Sequence, residues 1–574
     1  MRFFLFILLS AFLLSCNSEK ATSVNKLNEV NVRMDKEPGL INPFYAPTSQ
    51  GRTVYQYIFL PLADYHPETL ELTPILIEEI PEGSEVEIDG EKRIAYDINF
   101  RDDAKWPDGT SVTAKDYLLA VLMIKHPKTL IVGWQPYFTA MKKIELDDND
   151  PRHFKIFLDP NYMVGKEAAV TSSVMPAHKF DPNNILIGKQ DLIFGENYET
   201  SDSAELKVVE EINNSRNHKK EIFQNGPYTI TDFQTDEFLI LDAKKDYWGQ
   251  AYPNNPFLQS NSDRIVIRVV PDEVAAINMA KDGRLDFLNM KSSDAFFELK
   301  NNPETNKDWT FHVPPVRTYY FLSLNNRSPI FRDRGVRRAI AHLVDVEDII
   351  ENIDGGLGMR TTGPFHPSRS YYDESLSPIK YDPELASKML SELGWNDSDG
   401  NGIRDKVVDG KKEELSLEFL YTGSNLAKSI GLLFQESAKS AGVELTLVSK
   451  KMGLMRKENL NIYNYDMAAL AITSDEAPDD PYSRWHSDNA IPGKRNVSGY
   501  SNKDADKLIE TIRTTRDTDL RKEKYKELQK VMYDDQPVIF LYCPLQKMMI
   551  NNRLDAKATS KRPGYLANTF KLKN

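Results

Sequence analysis

Between Tyr319 and Leu324 the chain alternates like a strand, with Tyr320, Leu322 and Leu324 on one face and Tyr319, Phe321 and Ser323 on the other. Asn325, Asn326 and Ser328-Pro329 then break the alternation, as turn residues do. Beyond them Val336, Ile340, Leu343 and Val344 recur at helical spacing, while Arg334, Arg337 and Arg338 keep the opposite face polar. The pattern predicts a strand, a turn and an amphipathic helix, and on its own is common to many α/β proteins.

Similar signals punctuate the rest. Glu29 to Leu62 predicts a strand around Val30 and Val32, a turn at Pro38-Gly39, and a segment ending in Pro61-Leu62. Ile94, Tyr96, Ile98 and Phe100 mark a half-buried strand. Trp106 to Thr110 is a turn, and Thr113 with Asp116 forms a capping-box-like start to a helix that ends at His126-Pro127. Asn225 to Gly249 predicts a hairpin, and Arg264 to Val270 a strand before a helix that Gly283 caps. Asp382-Pro383-Glu384 favours helix initiation three times over, and Gly394 stops that helix. Leu415 to Phe419, Leu426 to Ala441 and Val443 to Leu447 read as a βαβ unit, which implies a parallel strand pair. One long helix is expected from Lys503 to Tyr533, followed by an apolar strand from Val538 to Cys543.

At 574 residues the chain exceeds a single ordinary core, so two or three lobes are expected. With 40% hydrophobic and 27% charged residues it reads as globular. Its formal net charge of −13, with no basic stripe interleaved with aromatics, argues against nucleic acid as a partner. The N-terminus differs in kind: Arg2 precedes an apolar run from Phe3 to Leu14, shorter than the roughly 20 residues that cross a bilayer. It reads as a secretory leader. Leu13-Leu14-Ser15-Cys16 resembles a bacterial lipobox, in which Cys16 is acylated, with residues 17–28 as a flexible tether. Cys543 alone remains after Cys16, so no disulfide framework is available, and its strand setting suits a small buried hydrophobe.

The wording of these segments is more specific than their periodicity. "FLSLNN–SPIFRDRGVRRAI–H–VD–EDII" from Phe321, "F–D–W–DGTSVTAKDYL" from Phe100, "NGPY…YWG" from Asn225 and "GRLDF" from Gly283 resemble phrases of the family 5 extracellular solute-binding proteins, the peptide-binding partners of ABC importers. The resemblance runs along nearly the whole mature chain. It implies an α/β, two-lobed periplasmic-binding-protein fold (type II, cluster C) with an extra domain and a hinge cleft. By that likeness residues 29–62, 175–287 and 536–574 build lobe I, 63–174 the extra domain II and 288–535 lobe III. It further implies a non-enzymatic, monomeric lipoprotein of the cell envelope, facing the periplasm or outer surface. Such a protein captures di- or oligopeptides and delivers them to a permease and its ATPase subunits. A nickel chelate or an oligosaccharide remains open as ligand, as does a sensory role, because fold does not fix function.

Candidate chemistry is sparse. Asp397, Asp399, Asn401 and Asp405 place oxygen donors at positions 1, 3, 5 and 9 of an EF-hand-like loop with Gly402 at position 6, but Val408 stands where a bidentate Glu belongs. The loop is either a weak Ca²⁺ site or an Asx-rich turn; no other metal or cofactor is expected. The nine histidines form no zinc pattern, and no nucleophile elbow or phosphate loop occurs. A hydrolase built on Asp475 and Asp480 is the rival reading.

Peptide-binding members carry Trp-x-x-Asp followed by an acidic-Pro step, and their Asp pairs with the ligand's ammonium. Here Ile472 replaces the Trp, and the gap to Asp480-Pro481 is longer, so the role falls to Asp475 or Asp480, with Trp485 just beyond. By the same likeness Arg360, Asn325 and Tyr45 are expected to line the cleft, Arg360 toward a ligand carboxylate.

Overall fold

The computed structural model describes residues 28–45, 48–131, 133–220 and 223–573. The expected leader, Cys16 and nearly all of the tether lie outside the described residues.

Three larger sheets, among the described residues, organise two bodies. In the first body seven strands run in the order Trp309–His312, Lys547–Asn551, Phe287–Met290, Glu29–Met34, Arg264–Val269, Phe238–Ala243 and Tyr228–Gln234. Glu29–Met34 lies at the centre because its apolar residues, Val30 and Val32, are wholly buried between parallel neighbours on both sides. A four-stranded antiparallel sheet, Gly83–Ile88, Glu91–Asn99, His153–Leu158 and Met141–Leu146, belongs to the same body. Its inward residues Ile98, Phe154 and Ile156 join the apolar cluster that also holds Val30, Ile265 and Phe287. Apolar residues of the segment read as extra domain II thus join the cluster beneath the seven-stranded sheet.

In the second body five strands run in the order Glu444–Ser449, Ser416–Tyr421, Met467–Thr473, Thr318–Leu324 and Val538–Phe540. The βαβ unit is present: Leu417 pairs in parallel with Leu445, and helix Asn425–Ser440 crosses between them. The strand–turn–helix of residues 319–341 is also as read, with Leu322, Leu324, Val336 and Ile340 in one core. The long C-terminal helix is a correction. It is two helices, Lys503–Thr514 and Thr518–Asp535, because Asp517 caps the second by accepting from the amides of Asp519 and Leu520.

The helix start at Thr113 carries more than its own turn. Thr113 N–H donates to Asp116 Oδ2 at 2.7 Å, the Trp106 indole donates to the same oxygen at 3.1 Å, and the Ala177 amide to Oδ1 at 2.7 Å. One buried carboxylate therefore joins turn, helix and returning chain.

The chain crosses between the bodies at residues 313–317 and 545–546, and the two crossings touch: Gln546 N–H donates to Pro314 O at 2.9 Å. Beside them Lys547 Nζ lies 2.7 Å from Asp354 Oδ1, both side chains 7% exposed. Tyr542 OH and Ser293 Oγ also donate to that carboxylate, at 3.0 and 2.8 Å. Asp354→Ala would leave the Lys547 ammonium buried without its anion. It is expected to cost about 3–5 kcal/mol, read as a shift in the urea unfolding midpoint.

A second buried polar node lies within the first body. His126 Nε2 donates to Glu205 Oε1 at 2.9 Å, and Lys189 Nζ, Thr200 Oγ1 and Tyr198 OH all donate to the same carboxylate. Burial pushes the Glu205 pKa up, but Lys189, Thr200, Tyr198 and His126 outweigh it and hold the value at about 2, below the ordinary 4.5. A depressed folded-state pKa stabilises above the unfolded value and loses that contribution as pH falls through the folded one. Thermal unfolding between pH 4.5 and 2 is therefore expected to be less pH-dependent in Glu205→Gln than in the wild type.

Candidate functional site

Strand Met467–Thr473 runs antiparallel to Thr318–Leu324, and the pairing continues one step further, with Ser474 N–H donating to Arg317 O at 2.8 Å. The chain then leaves the sheet as a loop, residues 475–480, at the border between the bodies.

That loop is shaped from behind by one guanidinium. Arg369 Nη2 donates to Asp475 O at 2.6 Å and to Ala477 O at 2.8 Å, and Nη1 to Glu476 O at 2.7 Å, while Nε lies 3.3 Å from Asp479 Oδ2. Asp479 is held further by Tyr371, whose hydroxyl donates to Oδ2 at 2.7 Å and accepts from the Asp479 amide at 3.1 Å. Tyr525 donates to the Asp479 carbonyl and stacks on Tyr371, with ring centroids 4.0 Å apart at 17°. With three successive carbonyls turned onto Arg369, the amide N–H groups of Asp475, Glu476 and Ala477 have no acceptor among the described residues. The Glu476 and Ala477 amides share peptide planes with the Asp475 and Glu476 carbonyls held by Arg369, so they point away from it and can donate to an acceptor from outside the loop.

Charge on the loop faces charge on the first body. Arg52 Nη1 lies 3.4 Å from Asp475 Oδ1, with the two side chains 53% and 63% exposed, so the pair is wet and worth under about 1 kcal/mol. Arg562 donates to Ser49 Oγ at 3.2 Å; burial lowers its pKa, and the nearby Asp475 carboxylate opposes that fall. Lys561 pairs with Asp64 at 2.6 Å. The Glu476 carboxylate has no hydrogen-bond or ion-pair partner among the described residues. Burial raises its pKa, Asp64 and Asp475 add to the rise, and Lys561 and Arg317 oppose it. Tyr55 and Tyr65 belong to the same wall, the first pushed up to about 12 by burial and the second raised by burial and the nearby acids. At the far rim the bodies touch directly: Met163 N–H donates to Arg513 O at 3.0 Å, and Arg516 reaches Pro160 O at 3.2 Å and Glu85 at 2.5 Å.

The expected site residues divide. Asp475 stands on the loop, facing the first body. Asp480 is on the same loop but is engaged, accepting from Arg513 Nε at 3.1 Å and from the Tyr482 amide at 3.0 Å. The other four are interior. Trp485 is 5% exposed and packs against Phe540. Arg360 donates to Leu541 O at 2.9 Å and Ile379 O at 3.1 Å, and its Nε lies 3.2 Å from Glu347. Asn325 anchors its turn by donating to Tyr463 O and Tyr465 O, both at 2.9 Å. Tyr45 is buried, with its hydroxyl donating to Asn213 Oδ1 at 3.0 Å. The polar groups of Arg360, Asn325 and Tyr45 are thus bonded within the fold, and the Trp485 ring is packed in the core.

The acidic loop at Asp397 is closed by the protein's own cation. Lys412 Nζ lies 2.5 Å from Asp399 Oδ2 and 3.5 Å from Asp405 Oδ2, while Asp397 accepts from the amides of Gly400, Asn401 and Gly402. Carboxylate oxygens of Asp397, Asp399 and Asp405 also lie within 4.8 Å of one another, so the loop has the donors of a weak cation site as well as the bonds of an Asx-rich turn.

Two bodies joined by a paired crossing, with a charged and aromatic border between them, define a solute-binding protein. The sequence matches the family described as bacterial extracellular solute-binding proteins, family 5, over residues 72–493, and the chain belongs to that family. It is similar to the oligopeptide-binding protein AppA of Bacillus subtilis, at 25% identity over 565 residues, covering 96% of this chain and 94% of that protein. It is similar also to the probable D,D-dipeptide-binding periplasmic protein DdpA of Escherichia coli, at 22% identity over 80% of this chain and 78% of that one. Among solved structures, Bacillus subtilis AppA in complex with a nonapeptide superposes with a TM-score of 0.71 at 23% identity, covering 95% of this chain and 99% of that one. NikZ from Campylobacter jejuni in complex with Ni(L-His) gives 0.71 at 22% identity, covering 95% and 100%. The α/β two-lobed fold is thus that of the family.

Arg369, Tyr371 and Asp479 were not found from the sequence. Arg369 meets its carbonyls 106 to 108 positions further on, and nothing in its own neighbourhood, Pro367-Ser368-Arg369-Ser370, announces that reach. Arg369→Met removes three charge-assisted bonds to one loop. It is expected to lower stability by about 2–3 kcal/mol and to speed amide exchange selectively at residues 475–479, as read by hydrogen-exchange mass spectrometry.

Proposed function

We propose that this protein captures peptides between its two bodies and delivers them to an ABC permease and its ATPase subunits, tethered to the cell envelope through an acylated Cys16. The observation that carries the peptide reading is the 475–477 segment. Its amides have no acceptor among the described residues while Arg369 fixes its carbonyls, so the segment offers preset donors to the carbonyl groups of a peptide. Asp475 beside them is paired only with a wet Arg52, and an incoming ammonium exchanges a weak partner for a stronger one as the cleft loses water. The relatives named above for oligopeptides and dipeptides support the same class. Capture needs no bond-making, and closure follows because the ligand contacts both bodies at once only when they are together.

Native mass spectrometry of the protein as purified, followed by release of its ligand on denaturation, tests the reading: intact peptides are expected. Peptide fragments would indicate a hydrolase, and a metal chelate or an oligosaccharide would replace the ligand class. For Asp475 the expectation is quantitative. Charged-group hydrogen bonds contribute about 1.5–3 kcal/mol, so Asp475→Asn should weaken a free-amine peptide roughly 10- to 150-fold in calorimetry. It should leave the N-acetylated form of that peptide unchanged; equal affinity of wild type and variant for the free amine would remove Asp475 from the role.

A further inference from the structure

The cleft arginines differ in one respect. Arg369 is spent on carbonyls and Asp479, Arg513 on Asp480, Arg52 on Asp475 and Arg562 on Ser49. Arg317 has no side-chain acceptor among the described residues, although it is half-buried and its Nη1 is shut off from solvent. Its place is central. It lies on the crossing segment between the bodies, and its carbonyl receives the Ser474 amide that starts the binding loop. Burial holds its pKa below the ordinary value, and the like charge of Arg369 lowers it further, while Glu476 and Asp479 oppose the fall without reaching it. Asp479 is already committed to Arg369 and Tyr371. An unpaired guanidinium withdrawn from water costs several kcal/mol.

A second donor stands beside it. His366 is 2% exposed, and its Nδ1 accepts the Ser368 amide at 3.1 Å, which places the ring proton on Nε2. That nitrogen is buried with no hydrogen-bond partner recorded among the described residues, and the Val316 carbonyl is near enough to oppose the fall of the ring's pKa. Burial and the charges of Arg317 and Arg369 keep the ring neutral at ordinary pH, with its pKa pushed down to about 4.

We propose that Arg317, flanked by the His366 Nε2–H, binds a carboxylate of the captured solute. A planar fork suits a carboxylate. The unpaired Glu476 on the adjoining loop makes the site fit a single negative charge next to a positive one, as in a zwitterion, rather than a dianion such as phosphate. The assignment rests on the peptide reading and deepens it. The carboxylate comes from the peptide's C-terminus or from an acidic side chain.

Three sets of synthetic tri- to pentapeptides separate these sources: neutral free acids, the same sequences as C-terminal amides, and amides carrying one internal Glu. Each set is titrated against the full chain by calorimetry and native mass spectrometry. Wild type is expected to favour one carboxylate-bearing set over the neutral amides by tenfold or more. The free acids would identify the terminus and the Glu amides the side chain. Arg317→Gln is expected to lose that preference, and Arg317→Lys to restore part of it. Equal binding of all three sets by wild type, which needs no variant to fold, would overturn the assignment while leaving the peptide reading intact. So would a preference that Arg317→Gln retains. Failure of wild type to bind any set would overturn the peptide reading and this assignment together.

Discussion

The two adjacent crossings at 313–317 and 545–546 constrain everything else. Paired through Gln546 and Pro314, they act as one strap rather than two independent linkers, so the bodies are restricted to motions that preserve that pairing. The Lys547–Asp354 pair stands at its edge, on residues from both bodies, and is closed by Tyr542 and Ser293. A buried ion pair is a poor source of net stability, because desolvation offsets most of its attraction. What it does supply is a penalty against separation. Sliding the bodies apart at this point would strand two charges in an apolar setting, whereas rotation about it strands none. Gly355 and Gly356, both at positive φ, carry the chain away from Asp354 in a turn that a side chain would strain.

Away from that pivot the interface between the bodies is wet and polar. Arg52 meets Asp475 with both groups mostly in water, and the far rim is held by backbone and surface arginine contacts at Pro160 and Met163. Such contacts are individually weak and screened by salt. A border of this kind suits reversible closure: it guides the bodies into register, yet leaves the balance between open and closed to be set by a ligand with differential contacts in the two states. The chain carries a net charge of −13, yet arginines and lysines crowd this border. Both signs of charge are thus present at this border, on residues of both bodies.

Much of the scaffold was legible because its signals are local. Alternation fixed the strand at Thr318–Leu324, Asp382-Pro383-Glu384 the helix that follows, and Thr113 with Asp116 a start whose cap is present. The two-helix C-terminus was missed although its cue was local too: Asp517 is an N-cap residue embedded in a run of charges that mimics a continuous polar helix face. The site was legible only in outline. The position of Asp475 was legible because it follows a strand directly, so its place in the fold is set by the strand's end. Arg360, Asn325, Tyr45 and Trp485 could not be judged, because a side chain's direction depends on acceptors from distant segments, such as Leu541, Tyr465 and Asn213. Arg369 is the same problem inverted, an unremarkable loop arginine that becomes decisive once residues 475–477 fold over it.

The physical economy of the site lies in how few residues join hinge and loop. Arg317 belongs to the crossing segment by its backbone and holds the start of the binding loop through Ser474. Arg369 fixes the remainder of that loop from the side opposite the free amides. The loop therefore has no freedom of its own to absorb a ligand's pull. Force applied at residues 475–477 passes through Ser474 to Arg317, and from there to the strap whose pairing with Gln546 sets the angle between the bodies. A softer loop would bind by local adjustment and leave the bodies where they were. In the proposed capture, rigidity at this loop couples occupancy to closure, and it is supplied by one buried guanidinium and a pair of stacked tyrosines.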